Sequence, residues 1–261
     1  GGRRHAGRLL ARLSENEELL HDGYEVVSEA ATRGLRITPA AEWFLDNYPL
    51  IQEQIRTARR HLPAGYSRDL PQLSTGAEAG YPRVYAIALE LISHVDGKVD
   101  EESLRAFVGA YQSVTMLRLG ELWAIPIMLR LALLENLRRV VARIQAGRLE
   151  RERAGYWIDR MLEVARKSPA DVVLVLAEMV RENPPLTTAF IAEFASRVQG
   201  QGAALVFPIT WLSHRVADQG QTIETIFQQA SQSQAADQVS IGKSIGSLRF
   251  LGALDWRDFV E

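Results

Sequence analysis

The sequence predicts an all-α protein, an irregular multi-helix bundle or solenoid of roughly 9 to 11 helices with no β-sheet. Apolar residues recur at three- and four-residue spacing through most of the chain, as at Leu9, Leu13 and Leu20. Proline and glycine divide these periodic stretches at intervals of about one helix length. No stretch shows sustained alternation of apolar and polar residues, which half-buried strands would require. Nor is there a visible repeat of roughly 34 to 47 residues, as in regular helical arrays.

Five helices are predicted in the first part of the chain. Thr38 followed by Pro39 is a start signal, because threonine caps a helix and proline is tolerated at its first position. Pro49 predicts a kink near Tyr48 or a division into two helices, since proline removes a backbone hydrogen bond. Asp100 is the predicted cap of the fourth helix. The predicted helices are Leu9–Gly34, Pro39–Leu62, Pro82–Val95, Glu101–Ser113 and Gly120–Ala146, with a long loop at 63–80.

The second part of the chain is divided by Ser168-Pro169, by Asn183-Pro184-Pro185 and by the glycines at 200 and 202. Its predicted helices are Arg148–Lys167, Pro169–Glu182, Leu186–Gln199, Ala203–Asp218 and Thr222 to about Val239, then a shorter pair ending at Glu261. We predict a single α-helical domain over 1–261. A subdivision near 147–155 would give 1–146 and 156–261.

Composition excludes several classes of function. The net charge of −2 and the pI near 6.3 provide no field that would attract nucleic acid. The absence of cysteine rules out disulfides, thiolate zinc sites and cysteine nucleophiles, and it is compatible with a reducing cytosol. The longest apolar run, Leu122–Leu134, is shorter than the roughly 20 residues of a membrane span, so it is predicted to be a core helix.

Two motifs are incomplete. Gly242-Lys243-Ser244 matches the end of a phosphate-binding loop, but Asp237 occupies the position of the first glycine, so a turn between helices is predicted. The acidic segment Asp96–Glu102 lacks the ligand spacing of an EF-hand and is predicted to be a turn followed by a helix cap. The histidines are too dispersed to predict a metal site. They are His5, His21, His61, His94 and His214.

Paired carboxylates are the one enzymatic feature, because glycoside chemistry needs only two carboxyl groups about 5 to 9.5 Å apart. The candidate pairs are Glu42 with Asp46 and Glu121 with Glu135. The alternative is that Glu121 and Glu135 are buried and form ion pairs with nearby arginines, since a buried charge must be compensated. The arginines considered are Arg118, Arg130, Arg138 and Arg139.

Arginines cluster at helical spacing in two places, Arg56, Arg59 and Arg60, and Arg138, Arg139 and Arg143. Acidic residues lie between them, so a solvated helix face is the first interpretation. Contact with an anionic membrane surface is the alternative.

Three segments combine aromatic and polar residues, namely 43–49, 65–71 and 80–85. Such residues anchor interfaces, but they also fasten a loop onto its own bundle, and both interpretations stay open. The predicted interaction surface comprises Trp43, Asp46, Asn47, Tyr48, Tyr66, Arg68, Asp69, Tyr81 and Arg83.

At these segments the chain resembles the N-terminal region of bacterial cyclic β-1,2-glucan synthases, from about Leu9 to Glu261. The resemblance also rests on four further strings. They are 120–130, 183–186, 234–240 and 247–252.

The resemblance implies a soluble module on the cytoplasmic side of the bacterial inner membrane, within a membrane-bound enzyme that makes osmoregulated periplasmic glucan. Synthases of this family combine a UDP-glucose-dependent transferase, expected to use a divalent metal, with glycosidase-like and phosphorylase-like domains. This segment precedes all three and lacks the transferase's Asp-x-Asp and Gln-x-x-Arg-Trp motifs. The implied partners are those domains of the same polypeptide.

The implied role is a non-catalytic scaffold or regulator of the transferase, without catalytic, cofactor-binding or metal-binding residues of its own. One alternative is a helical domain that binds or processes β-1,2-glucan through paired carboxylates. Another is a free-standing helical adaptor.

Overall fold

The computed structural model describes residues 7–62, 66 and 69–254, and the regular structure of these residues is helical. It contains nine α-helices and, within the described residues, no strand beyond an isolated bridge between Gln72 and Pro82. The predicted all-α fold is therefore confirmed. The helices are α1 (Arg8–Thr32), α2 (Pro39–Arg60), α3 (Arg83–His94), α4 (Glu101–Val114), α5 (Leu119–Lys167), α6 (Val172–Glu182), α7 (Thr188–Val198), α8 (Val206–Ala217) and α9 (Ile223–Ala253).

The predicted start signals form real caps. The Ala41 N–H donates to Thr38 Oγ1 at 3.3 Å, with Pro39 at the first helical position of α2. At α4, Asp100 and Ser103 make a reciprocal capping box, because the backbone N–H of each donates to the side chain of the other. Each cap satisfies donors that the helix itself cannot pair, and loss of such a cap costs about 1 kcal/mol.

Three helix boundaries differ from the sequence predictions. Helix α2 runs unbroken through Pro49, so the division into two helices is wrong. Helix α5 continues through Gly147, where a break was predicted, because glycine weakens a helix without stopping it. Helix α9 continues past Val239 to Ala253, so the Gly242–Ser244 string lies inside a helix and not in a turn. The last part of the predicted terminal pair, 255–261, lies outside the described residues.

The loop between α2 and α3 folds back on itself near its C-terminal end. The Leu73 N–H donates to the Tyr81 carbonyl at 3.0 Å, and the Arg83 N–H donates to the Pro71 carbonyl at 2.7 Å. Gly80, with φ of 84°, adopts a left-handed conformation that other residues rarely take. These bonds fix the positions of Tyr81 and Arg83 at the start of α3.

The chain divides into two compact units, one comprising 1–142 with 237–261 and the other 143–236. Helices α5 and α9 each contribute residues to both units. The largest fully buried side chains of the first unit include Phe44, Ile51 and Leu133, and those of the second are Phe190 and Phe194. Burial of each such side chain contributes about 1.5 to 3 kcal/mol. Whether 1–261 folds as one domain, or divides near 147–155, stays a prediction.

Candidate functional site

The carboxylates Glu121 and Glu135, which the sequence singled out as a possible catalytic pair, are both buried in α5. They are 14 positions apart in one continuous helix, which corresponds to about 21 Å of axial rise. That distance exceeds the roughly 5 to 9.5 Å between the two carboxyl groups of a glycosidase. The two residues cannot act on one glycosidic bond, and each has a separate arginine partner.

Glu135 lies at the centre of an arginine cluster. Arg12 of α1 binds it in bidentate fashion, at 3.0 Å from Nε to Oε2 and 2.5 Å from Nη2 to Oε1. Arg138 donates to the same Oε1 at 2.8 Å, and Arg139 approaches within 3.6 Å. Burial by itself would raise the pKa of Glu135, but hydrogen bonds from Arg138 and Arg12 hold that pKa below its ordinary value. The carboxylate is therefore ionised and ties α1 to α5.

Glu121 is paired with Arg83 of α3. The guanidinium donates from Nε to Oε1 at 3.0 Å and from Nη2 to Oε2 at 2.6 Å, and the Arg118 N–H donates to Oε2 at 3.0 Å. The hydrogen bond with Glu121 raises the pKa of Arg83. Arg83 also lies 5.8 Å from the ring centre of Tyr111 and donates to the Met116 carbonyl. The predicted interface residue Arg83 thus joins three parts of its own bundle.

The prediction that these carboxylates form ion pairs with arginines was correct, but it did not include their partners Arg12 and Arg83. Arg138 and Arg139 do bind Glu135, as their spacing on one helix predicted. Arg130 instead donates to Gln54 Oε1 at 2.7 Å, and burial lowers its pKa. The other candidate pair, Glu42 and Asp46, lies side by side on exposed positions of α2, and its role stays a prediction.

The string Gly242–Ser244 belongs to a polar seam within the first unit. Ser244 is fully buried and accepts a hydrogen bond from Asn136 Nδ2 at 3.0 Å, while Lys243 forms an ion pair with Asp96 at 2.9 Å. The amino group that a phosphate loop would aim at its nucleotide is engaged with an aspartate. The acidic segment that includes Asp96 forms the predicted turn and cap.

The α2 members of the predicted interaction surface differ in exposure. Trp43 is 45% exposed and its ring packs near Gly242, whereas Asp46 is exposed. Asn47 accepts a hydrogen bond from Arg249 at 2.7 Å. Tyr48 is buried, stacks on the Tyr24 ring at 4.1 Å, and has its pKa raised by that burial. Trp43 and Asp46 remain available for an outside contact, while Asn47 and Tyr48 hold the bundle together.

The remaining members lie around the loop that follows α2. Tyr66 is half-buried, which raises its pKa, and Asp69 is exposed. Tyr81 is half-buried between Tyr85 and the guanidinium of Arg8, whose carbon lies 5.8 Å from the Tyr81 ring centre. Arg68 lies outside the described residues. These contacts favour the interpretation that the loop is fastened to its own bundle, and the use of the nine residues as an interface stays a prediction.

Comparison with known proteins gives one informative match. No family model matches the chain. The cyclic β-(1,2)-glucan synthase NdvB of Rhizobium meliloti is 31% identical over 251 residues, which cover 96% of this chain and 9% of NdvB. The resemblance to the cyclic β-1,2-glucan synthases is confirmed. The chain spans about a tenth of the length of this relative.

Two further findings concern metal binding and membrane spans. Among residues 7–62, 66 and 69–254, no three His, Cys, Asp or Glu side chains come together in a group that could hold a metal ion. None of the helices in the described part of the chain is both long enough and apolar enough for a bilayer crossing.

Sequence reasoning missed an apolar surface at the start of α5. Met116, Leu119 and Trp123 are 84%, 65% and 47% exposed, and we call these three residues the α5 patch. Leu119 and Trp123 are four positions apart in one helix and so share a face. The signal was present in the sequence, since Met116 and Leu119 precede the apolar run at 122–134 and Trp123 lies within it. Periodicity could not show that their side of the helix is left uncovered.

Proposed function

We propose that the chain is a non-catalytic helical N-terminal module of a cyclic β-1,2-glucan synthase. In this proposal the parent enzyme polymerises glucose from UDP-glucose at the cytoplasmic side of the inner membrane and cyclises the product. The module supports or regulates the transferase domain of the same polypeptide through direct contact. The α5 patch is the observation that carries the proposal.

Exposed apolar side chains grouped on one face are typical of surfaces that another protein covers. The α5 patch contains a tryptophan, with Leu119 one turn before it on the same helix face and Met116 just before the helix, and tryptophan is among the residues that most often dominate binding energy. The chain matches only 9% of NdvB, so a synthase of this kind contains roughly ten times more polypeptide that could cover the patch. A partner within the same polypeptide is also present at high effective concentration.

The arrangement of the charged residues supports a structural role over catalysis by paired carboxylates. Glu121 and Glu135 are each held by an arginine from another helix and are about 21 Å apart along α5. Their ion pairs connect α1 and α3 to α5 and stiffen the unit that presents the α5 patch. A free-standing adaptor has less support, because the match is to one region of a longer enzyme.

Site-specific photocrosslinking tests the proposed contact. A photoreactive phenylalanine derivative placed at position 123 of a full-length synthase should crosslink to a peptide of the transferase domain. The same group at Glu29, a charged and exposed position on α1, serves as the control and should give no such product. Mass spectrometry of the digested protein identifies the joined peptides. Absence of a crosslink from position 123 to the rest of the synthase would contradict the proposal.

A further inference from the structure

An open groove of about 570 Å³ lies within the 143–236 unit. One side is formed by α5 at Glu152, Tyr156 and Trp157, and the other by the turn between α6 and α7 at Glu182, Asn183 and Pro185. Its volume falls within the range of about 300 to 1,000 Å³ that small-molecule sites occupy. None of these six residues is used by the contacts proposed above.

The groove has an aromatic wall formed by Tyr156 and Trp157. Tyr156 is 55% exposed, and its ring meets the buried Trp157 ring edge to face at 5.2 Å. The guanidinium of Arg160 lies 5.7 Å and 5.3 Å from the two ring centres and is itself held by Glu178 at 2.7 Å. These contacts restrict the orientations that the Tyr156 ring can take before any ligand arrives.

The opposite wall supplies hydrogen-bonding groups. Asn183 ends α6 in a left-handed conformation with φ of 49°, and its amide is exposed. Glu182 is exposed and makes no ion pair with the described residues, so its carboxylate can accept from a ligand. On the α5 side of the groove, Arg148 donates a hydrogen bond to Glu152, and Arg153 donates one to Glu150. The wall thus offers both acceptors and donors next to an aromatic surface.

These features match the chemistry of a neutral sugar. A pyranose has an apolar face of C–H groups, which packs on an aromatic ring, and a rim of hydroxyls, which carboxylates and amides bind. The lining contains two glutamates and one arginine, so the groove has no excess of positive charge that would attract an anionic ligand. A basic ligand would find two carboxylates here, and one of them, Glu152, already accepts a hydrogen bond from Arg148.

We infer that this groove binds a neutral glucan chain, with the Tyr156 ring against a glucose residue and with Glu182 and Asn183 on its hydroxyls. The identity of the sugar rests on the proposed function, because the relative is a cyclic β-(1,2)-glucan synthase. The groove gives the module a second task, which is to hold the growing or finished glucan near the enzyme. Binding of the glucan in this groove requires no covalent bond to be made or broken.

Calorimetric titration of the purified chain with linear β-1,2-linked glucooligosaccharides tests the inference. We expect saturable binding that Tyr156→Ala weakens by at least about tenfold, since the aromatic surface is lost. Tyr156→Phe keeps the ring and should retain binding. Phe207→Ala is the matched control, because Phe207 is 57% exposed in the same unit and does not line the groove.

Three results would overturn the inference. They are no binding of the oligosaccharide, equal binding by wild type and Tyr156→Ala, and binding of a basic peptide in place of the sugar. Thermal unfolding followed by circular dichroism verifies that each variant is folded. The titration uses the chain alone, so its outcome is independent of contact with the transferase, which the crosslink at position 123 tests. Either idea can therefore fail while the other stands.

Discussion

Replacement of Arg83 by methionine is expected to lower the free energy of unfolding by about 3 kcal/mol, because it leaves a buried carboxylate without its counter-charge. Glu121 is fully buried and receives two hydrogen bonds from this guanidinium. The Arg118 N–H would be its remaining donor among the contacts described above. Methionine preserves much of the aliphatic stem, so the loss reports the ion pair more than the packing. Urea unfolding at pH 7, followed by circular dichroism, measures the change.

Arg59→Met provides the matched control for this experiment. Arg59 also binds a glutamate on another helix, Glu17, but both side chains are substantially exposed. Exposed pairs contribute about 0 to 1 kcal/mol, so this variant should be nearly as stable as the wild type. Adding Glu121→Leu to Arg83→Met should recover most of the lost stability, because it removes the uncompensated charge. Equal losses from Arg83→Met and Arg59→Met would show that the Glu121 pair does not stabilise the fold as described.

Introduction of aspartate at both Leu119 and Trp123 is expected to reduce glucan synthesis by a full-length synthase at least about tenfold. The double substitution replaces the two helical anchors of the α5 patch with charges that the partner surface would have to desolvate. Both side chains are exposed, so the fold of the segment should be little affected. The measurement is incorporation of labelled glucose from UDP-glucose into glucan by membranes that contain equal amounts of each synthase.

An equivalent pair on another helix serves as the control for the patch. Val173 and Leu174 on α6 are 46% and 61% exposed, and aspartate at both positions adds the same charge to a different apolar surface. We expect this control to synthesise glucan at the wild-type rate. Equal loss in both double variants would point to a general effect of added charge. No loss in the patch variant would contradict the proposed contact of the α5 patch with the transferase.

The fold could be predicted largely because helix starts are encoded locally. Thr38 with Pro39, and Asp100 with Ser103, specify their caps within four residues. Helix ends were harder to predict. A glycine such as Gly147 can stop a helix or lie within it, and the choice depends on packing partners from elsewhere in the chain. The division into compact units, with 237–261 returning to the first, has no local signature of any kind.

Contacts of the candidate site could likewise be predicted where they are local in sequence, but not where they join distant residues. The contact of Glu135 with Arg138 follows from spacing on one helix, whereas its contact with Arg12 joins residues 123 positions apart. The α5 patch and the groove at Tyr156 depend on which helix faces stay uncovered. Hydrophobic periodicity identifies an apolar face, but it does not reveal whether that face has a partner in the same fold.

The central claim is that this segment assists glucan synthesis without carrying out the chemistry, and deletion of the segment tests it most directly. A synthase that lacks residues 7–254 should still insert into the membrane and should make glucan from UDP-glucose at least about tenfold more slowly than the intact enzyme. Membrane fractionation confirms insertion, and labelled glucose incorporation measures the rate. Normal assembly together with synthesis at the wild-type rate would contradict the account.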